Sequence, residues 1–180
     1  IAKIYAEKQS IGEALEYASK GWELDSKVKW YGFLYTDLLL ADGKLLEATQ
    51  VLEQISDLEP GSADPLFALT GVYLDLGKWP EALRALSKIE ALRGIDKEVS
   101  RQKVKIYLYQ DELELALVEM DKLITAFPYD FEIQLQKADL YSANDRQLEA
   151  VGIWKNIISK SPNQPTANLR LARWHQSIKE

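Results

Sequence analysis

The sequence predicts an all-α fold: a right-handed α-solenoid of 34-residue helix-turn-helix repeats. The first observation is an alanine column with a step of 34 residues, formed by Ala14, Ala48, Ala82, Ala116 and Ala150. The second is that other columns keep this step without insertion or deletion: Tyr5, Leu39, Tyr73, Tyr107, Tyr141 and His175 in one, and Ile55, Ile89, Leu123 and Ile157 in another. A fixed period of this size is typical of stacked helical repeats. The hydrophobic content of 47% is sufficient to fill a core.

Each column has a physical role in the helix-turn-helix unit. The alanine lies where the two helices of a hairpin cross, because a one-carbon side chain lets their axes approach closely. Short polar turns at 41–44, 75–78, 110–112 and 143–146 place Gly, Asn or Asp where a left-handed backbone is needed. Pro60, Pro128 and Pro162 end their units, with Gly94 in the equivalent place, since proline cannot continue a helix.

The segment 63–96 carries the fullest set of these residues: Leu66, Leu69, Tyr73, Gly77, Trp79, Ala82, Leu86 and Ile89. In this pattern the chain resembles the tetratricopeptide repeat (TPR) family, and in particular the long tandem arrays of bacterial, often envelope-associated, proteins. The resemblance covers the whole chain and implies a protein-binding scaffold. It leaves the compartment open between the bacterial envelope or periplasm and the cytoplasm.

The 34-residue register divides the chain into a partial unit 1–28, complete units 29–62, 63–96, 97–130 and 131–164, and a partial unit 165–180. Because both terminal hairpins are incomplete, we expect the chain to be a fragment of a longer array. Lys103 and Lys137 occupy a first-helix position where the family has leucine, so we expect looser packing there. His175, in the aromatic column, is expected to be partly buried.

The first helix of each unit is expected to line the concave wall of the superhelix. Helical periodicity places unit positions 4, 8 and 11 in the core and positions 2, 5, 9, 12 and 13 on the opposite face. The candidate partner-binding residues on or beside that face are Trp30, Phe33, Asp37, Phe67, Leu74, Arg101, Lys105, Leu108, Tyr109, Leu135, Asp139, Arg170 and Arg173. Apolar residues on such a face usually mark a contact site. The alternative is that neighbouring first helices bury these side chains against one another.

Three of the polar residues also resemble the basic and amide groups with which some TPR modules grip a C-terminal carboxylate: Arg101, Gln136 and Arg170. Lys105 stands where that pattern has Asn, and Thr166 stands where it has Lys, so the match is partial. The alternative is a set of solvated surface charges.

Composition argues against other classes of function. A net charge of -6 and a pI near 5.0 would repel nucleic acid. The sequence has no cysteine and a single histidine, His175, which removes thiolate chemistry and most metal sites. No apolar run is long enough to span a bilayer. We therefore expect no catalytic residues, no metal, no cofactor, no nucleic-acid partner and no membrane insertion by this segment.

The function predicted from the sequence is a protein-protein interaction scaffold or adaptor, which binds a peptide or helix of its partner in the concave groove. The alternative is a structural spacer or self-association element of a larger protein, with weak homo-association. The identity of the partner does not follow from the repeat pattern, since one fold serves many functions.

Overall fold

A computed structural model describes residues 10–178, and every regular element in this part of the chain is an α-helix. The helices are α1 (Ile11–Leu24), α2 (Lys29–Ala41), α3 (Leu45–Leu58), α4 (Asp64–Asp75), α5 (Trp79–Arg93), α6 (Lys97–Tyr109), α7 (Leu113–Ala126), α8 (Phe131–Ala143), α9 (Gln147–Lys160) and α10 (Pro165–Ser177). Even-numbered helices are the first helices of their repeats, and odd-numbered helices are the second helices. Tyr5, at the start of the aromatic column, lies outside the described residues.

The chain divides into two compact units, Ile1–Val99 and Ser100–Glu180, called here the N-terminal and C-terminal units. In the N-terminal unit each helix from α1 to α4 packs on the helix that follows it. In the C-terminal unit the same order of packing runs from α7 to α10. Helices that pack on their neighbours in sequence are the defining feature of a helical repeat array.

The alanine column is fully buried, as the sequence predicted. Ala14, Ala48, Ala82, Ala116 and Ala150 each have an exposed fraction of 0%. Aliphatic residues one or two turns further along each second helix are equally covered, for example Ile55, Ile89 and Ile157 at 0%. Full burial of so small a side chain is what a close crossing of paired helices requires.

Gly32 allows a similarly close approach on α2. A Cβ atom at this position would lie 2.7 Å from Cδ1 of Ile55 and 2.8 Å from Cζ3 of Trp22. Both neighbours are buried, at 0% and 6% exposure, so neither has free space to move into. The absence of a side chain at Gly32 is thus required by the packing of three consecutive helices.

The same turn closes four of the hairpins. After each first helix one residue has a positive φ, with Gly43 at 74°, Gly77 at 67°, and Asp111 and Asp145 both at 59°. The next residue donates its backbone N–H to the carbonyl five residues earlier: Lys44 to Leu39 (2.8 Å), Lys78 to Tyr73 (2.8 Å), Glu112 to Tyr107 (2.8 Å) and Arg146 to Tyr141 (2.9 Å). This is the Schellman arrangement of a helix C-terminus. All four acceptors are main-chain groups of the aromatic column.

The hairpin of α6 and α7 has a partly polar interior. Ser100, at 0% exposure, donates a hydrogen bond of 2.6 Å to Oε1 of Glu119. Glu119 is itself only 8% exposed. The hydrogen bond offsets the cost of placing a carboxylate among apolar side chains.

Lys103 and Lys137 do not pack loosely, contrary to the sequence-based expectation. They are buried, with exposed fractions of 4% and 7%. The ammonium group of Lys137 forms an ion pair with Asp121 on α7 and lies 5.5 Å from the centre of the Tyr141 ring. A lysine fills the leucine site because its aliphatic stem is apolar, while its charge reaches a carboxylate at the edge of the core.

The last described helix, α10, packs on the preceding hairpin through some of its apolar residues. Leu171 and Trp174 contact the core cluster that contains Ala150, Trp154 and Ala167. His175 is exposed, so the expectation that it would be partly buried was wrong. In repeats whose second helix is described, the residue of the aromatic column is buried (Leu39 and Tyr73) or half-buried (Tyr107 and Tyr141). The helix α10 has no second helix of its repeat among the described residues.

We expect Ala116→Leu to lower the free energy of unfolding by about 1–3 kcal/mol, because the added atoms would force α6 and α7 apart. Ala126→Leu is the matched control, since Ala126 is exposed at the end of the same helix. Urea unfolding followed by circular dichroism gives both values. Equal stabilities for the two variants would contradict the crossing at Ala116.

We expect Asp121→Ala to lower the free energy of unfolding by about 1–3 kcal/mol, because it leaves the buried ammonium of Lys137 without its partner. Lys137→Met should cost less, since it removes the charge and keeps an apolar side chain of similar length. Asp57→Ala, at an exposed position on α3, is the control and should change stability by about 0.5 kcal/mol or less. If Lys137→Met is the more damaging variant in urea unfolding, the cost of Asp121→Ala does not come from leaving a buried ammonium group without its partner.

Candidate partner-binding surface

Exposed and half-buried aromatic residues lie on the first helices α2 and α4 of the N-terminal unit. Trp30, on the first turn of α2, has 69% of its surface exposed. Its ring centre lies 6.2 Å from that of Phe33, and the two rings are tilted by 47°. Phe67 occupies on α4 the repeat position that Phe33 occupies on α2, and both are half-buried. We call Trp30, Phe33 and Phe67 the aromatic patch.

Two cations of the N-terminal unit already have partners beside the aromatic patch. Lys29 forms an ion pair of 2.8 Å with Glu59, and its ammonium group lies 5.3 Å from the centre of the Trp30 ring. Arg93 lies over the Phe67 ring at 5.1 Å and reaches Asp64 at 3.5 Å. Such contacts orient the rings and leave the cations partly neutralised.

The other candidate residues of the N-terminal unit continue along the same helices. Asp37, one turn beyond Phe33 on α2, is exposed, and Leu74 near the end of α4 is half-buried. Partial burial raises the pKa of the Asp37 carboxyl group above its usual value. Nothing in the surrounding described residues offsets this cost of desolvation with an ion pair or a hydrogen bond.

The C-terminal unit presents a different set of candidates on α6. Arg101 and Lys105, one turn apart, are both exposed. Leu108 and Tyr109 at the end of the helix have exposed fractions of 38% and 72%. Charged and apolar side chains therefore follow one another along the exposed part of this helix.

Leu135 is a core residue, contrary to the sequence-based expectation that it would be available to a partner. Its exposed fraction is 1%, and it belongs to the cluster formed by Ala138, Val151 and Trp154. Leu135 is covered because its cluster includes Val151 and Trp154 of α9 and Ala167 of the following first helix, α10.

Asp139 and Arg170, both predicted to contact a partner, contact each other. The guanidinium group lies 2.6 Å from the Asp139 carboxylate and also donates to the Leu135 carbonyl at 3.2 Å. Burial raises the pKa of Asp139, and Arg170 opposes that rise. Gln136 is engaged as well, because its amide donates to Glu132 at 3.4 Å. Arg101, Gln136 and Arg170 are the three residues that resemble a carboxylate-binding set. Among the described residues, Arg101 is the one of these three without an ion pair or a side-chain hydrogen bond, and Arg173 is a further exposed cation.

Sequence reasoning did not identify two cavities. One of about 740 Å³ in the C-terminal unit is lined by Leu148, Trp154, Trp174 and Ile178, with Arg173 at its edge. Another of about 490 Å³ in the N-terminal unit lies between α3, α4 and α5. In the second cavity the Tyr73 hydroxyl donates to Glu53 at 2.5 Å, and burial together with this bond raises the pKa of Tyr73. The available sequence signal for the first cavity was Leu148, a leucine near the start of the second helix α9.

Several kinds of site are not found in residues 10–178. No helix in that range combines the length and apolar character that crossing a membrane requires. Within the same residues, no three side chains of the metal-binding types come together in a group that could hold an ion.

Comparison with known proteins places these features in a class. Residues 39–99 match the family model described as Tetratricopeptide repeat. No curated protein matches the sequence. Among solved structures, MamA superposes with a TM-score of 0.64 at 17% identity, covering 92% of this chain and 91% of that chain. The corresponding values for MamA residues 41 to the end from Desulfovibrio magneticus RS-1 are 0.60, 17%, 92% and 93%.

A further solved structure is YrrB, described as a TPR protein with an unusual peptide-binding site. It gives a TM-score of 0.58 at 18% identity and covers 94% of this chain and 87% of that chain. The chain therefore belongs to the class of α-solenoids built from helix-turn-helix repeats. Residues 39–99 are tetratricopeptide repeat sequence, and the described chain as a whole has the tetratricopeptide repeat fold. The predicted fold class is confirmed for the described residues, and the resemblance to the tetratricopeptide repeat family is confirmed by the match over residues 39–99.

Proposed function

We propose that the chain is a scaffold whose first helices hold a segment of a partner protein, with the aromatic patch as the main anchor. The tetratricopeptide repeat fold generally mediates protein-protein interaction, and YrrB is described as having a peptide-binding site. The observation that carries the proposal is the exposure of Trp30 at 69% beside Phe33, on a helix face that the core does not use. Aromatic side chains of this kind are the commonest energetic anchors of protein interfaces.

The C-terminal unit offers a second, more polar contact surface in this proposal. Its members are Arg101, Lys105, Leu108, Tyr109 and Arg173. Arg170 and Asp139 contribute through their ion pair, which fixes the position of both side chains. Repeats 29–62 and 63–96 present the aromatic patch, and the repeats from 97 to 180 present the polar surface.

A random peptide library displayed on phage tests this function. Peptides selected on the parent chain should bind Trp30→Ala and Phe33→Ala about tenfold or more weakly, because each variant removes a ring that a partner would cover. Tyr129→Ala is the matched control, since Tyr129 is an aromatic residue with 85% exposure in a loop of the other unit. Isothermal titration calorimetry with synthetic copies of the selected peptides gives the affinities.

Selected peptides that bind Trp30→Ala and the parent equally would move the contact away from the first helices. If the library yields no binder and the chain alone sediments as a concentration-dependent assembly, the structural or self-association role holds instead.

A further inference from the structure

Gly71 is an exposed glycine in the interior of α4 for which the fold gives no packing reason. A Cβ atom built at Gly71 would meet nothing within 4 Å, whereas one at Gly32 would meet Ile55 and Trp22 below 3 Å. Glycine inside a helix is less stable than alanine, because it loses more conformational freedom on folding. Space is therefore left open at Gly71, at some cost to the helix, on the face that carries Phe67 and Leu74.

The position of Gly71 in its repeat is the position of Asp37 in the repeat before. Phe67 lies one helical turn before Gly71, as Phe33 lies one turn before Asp37, so the glycine and the carboxylate follow the aromatic patch at the same level of the two first helices. A bare stretch of helix next to exposed rings is suited to the close approach of another backbone.

The charges left without partners on this part of the surface are negative. Within residues 10–178, neither Asp37 nor Asp75 has an ion pair or a hydrogen bond, and both are exposed. Of the neighbouring cations, Lys29 is engaged by Glu59 and Arg93 by Asp64, and Lys78 lines the cavity between α3, α4 and α5. Desolvation of the Asp37 carboxylate, which raises its pKa, is a cost that an incoming cation would offset.

We infer that the N-terminal unit binds an extended, basic peptide segment whose backbone passes over Gly71. An apolar side chain of that segment lies on the aromatic patch, and its lysine or arginine residues face Asp37 and Asp75. The missing side chain at Gly71 favours a segment whose backbone comes close to α4. An extended segment can do so with side chains of any size, whereas a helix would need a small residue of its own at the crossing. The inference rests on the proposed function and adds the chemical class of the partner.

The test uses a soluble peptide library with a fixed central leucine and random flanking positions. Acetylated and amidated termini remove the end charges, so that retention reports side chains alone. Peptides retained by the immobilised parent chain should be enriched in Lys and Arg over Asp and Glu on the order of fivefold, which corresponds to about 1 kcal/mol. Asp37→Asn, which keeps the shape of the side chain, should reduce this enrichment.

Gly71→Gln should lower total retention on the order of tenfold, because its side chain occupies the path of the backbone. Gly152→Gln is the matched control: Gly152 is also an exposed helix-interior glycine with nothing within 4 Å of its built Cβ, but it lies on α9. Both variants should melt at or above the parent temperature, since glutamine favours the helix. Loss of retention in Gly71→Gln alone therefore reports the binding path.

Two results overturn the inference, and they differ in what they say of the proposed function. The first result is retention that depends on Trp30 but shows no preference for Lys and Arg, or that is unchanged in Gly71→Gln. This result contradicts the inference and leaves the proposed scaffold function standing. A library from which neither the parent nor Tyr129→Ala retains any peptide overturns both.

Discussion

The close crossing of two helices at a single alanine is the constraint on which the rest of this structure depends. With the side chain reduced to one carbon and fully covered in five successive repeats, the core of each hairpin is filled by larger residues at fixed distances from the crossing. Those residues occupy one side of each first helix. Much of the opposite side does not pack in the core, with Leu135 on α8 as an exception, so exposed aromatic and charged residues such as Trp30, Asp37 and Lys105 are compatible with a stable fold.

The parts of the structure that follow from spacing along one helix were predictable from sequence, and the parts that depend on a second helix were not. The alanine column and the turns at Gly43 and Gly77 repeat at a fixed interval and have local causes. Leu135 points outward when α8 is considered alone, yet α9 and α10 together bury it. The pair of Asp139 and Arg170 joins two repeats, so no single helical wheel shows it.

Residue type alone did not predict burial for side chains that have both an apolar and a polar part. Lys137 replaces a leucine without opening the core, because its stem packs and its charge reaches Asp121. The surface charge that each unit offers to a partner is likewise determined by the charged groups that have no ion pair within the fold. In the N-terminal unit the remaining charges beside the aromatic patch are carboxylates, whereas α6 in the C-terminal unit carries the exposed cations Arg101 and Lys105.

The hairpin turn accepts its closing hydrogen bond at a main-chain carbonyl of the aromatic column, at Leu39, Tyr73, Tyr107 and Tyr141 alike. Because the acceptor belongs to the peptide group, substitution of the residue during evolution leaves the hydrogen bond of the turn intact. A change in length has the opposite effect, since one inserted residue separates donor from acceptor and displaces every later contact of the second helix. Divergence of such a chain should therefore proceed by substitution, with insertions and deletions confined to multiples of a whole repeat.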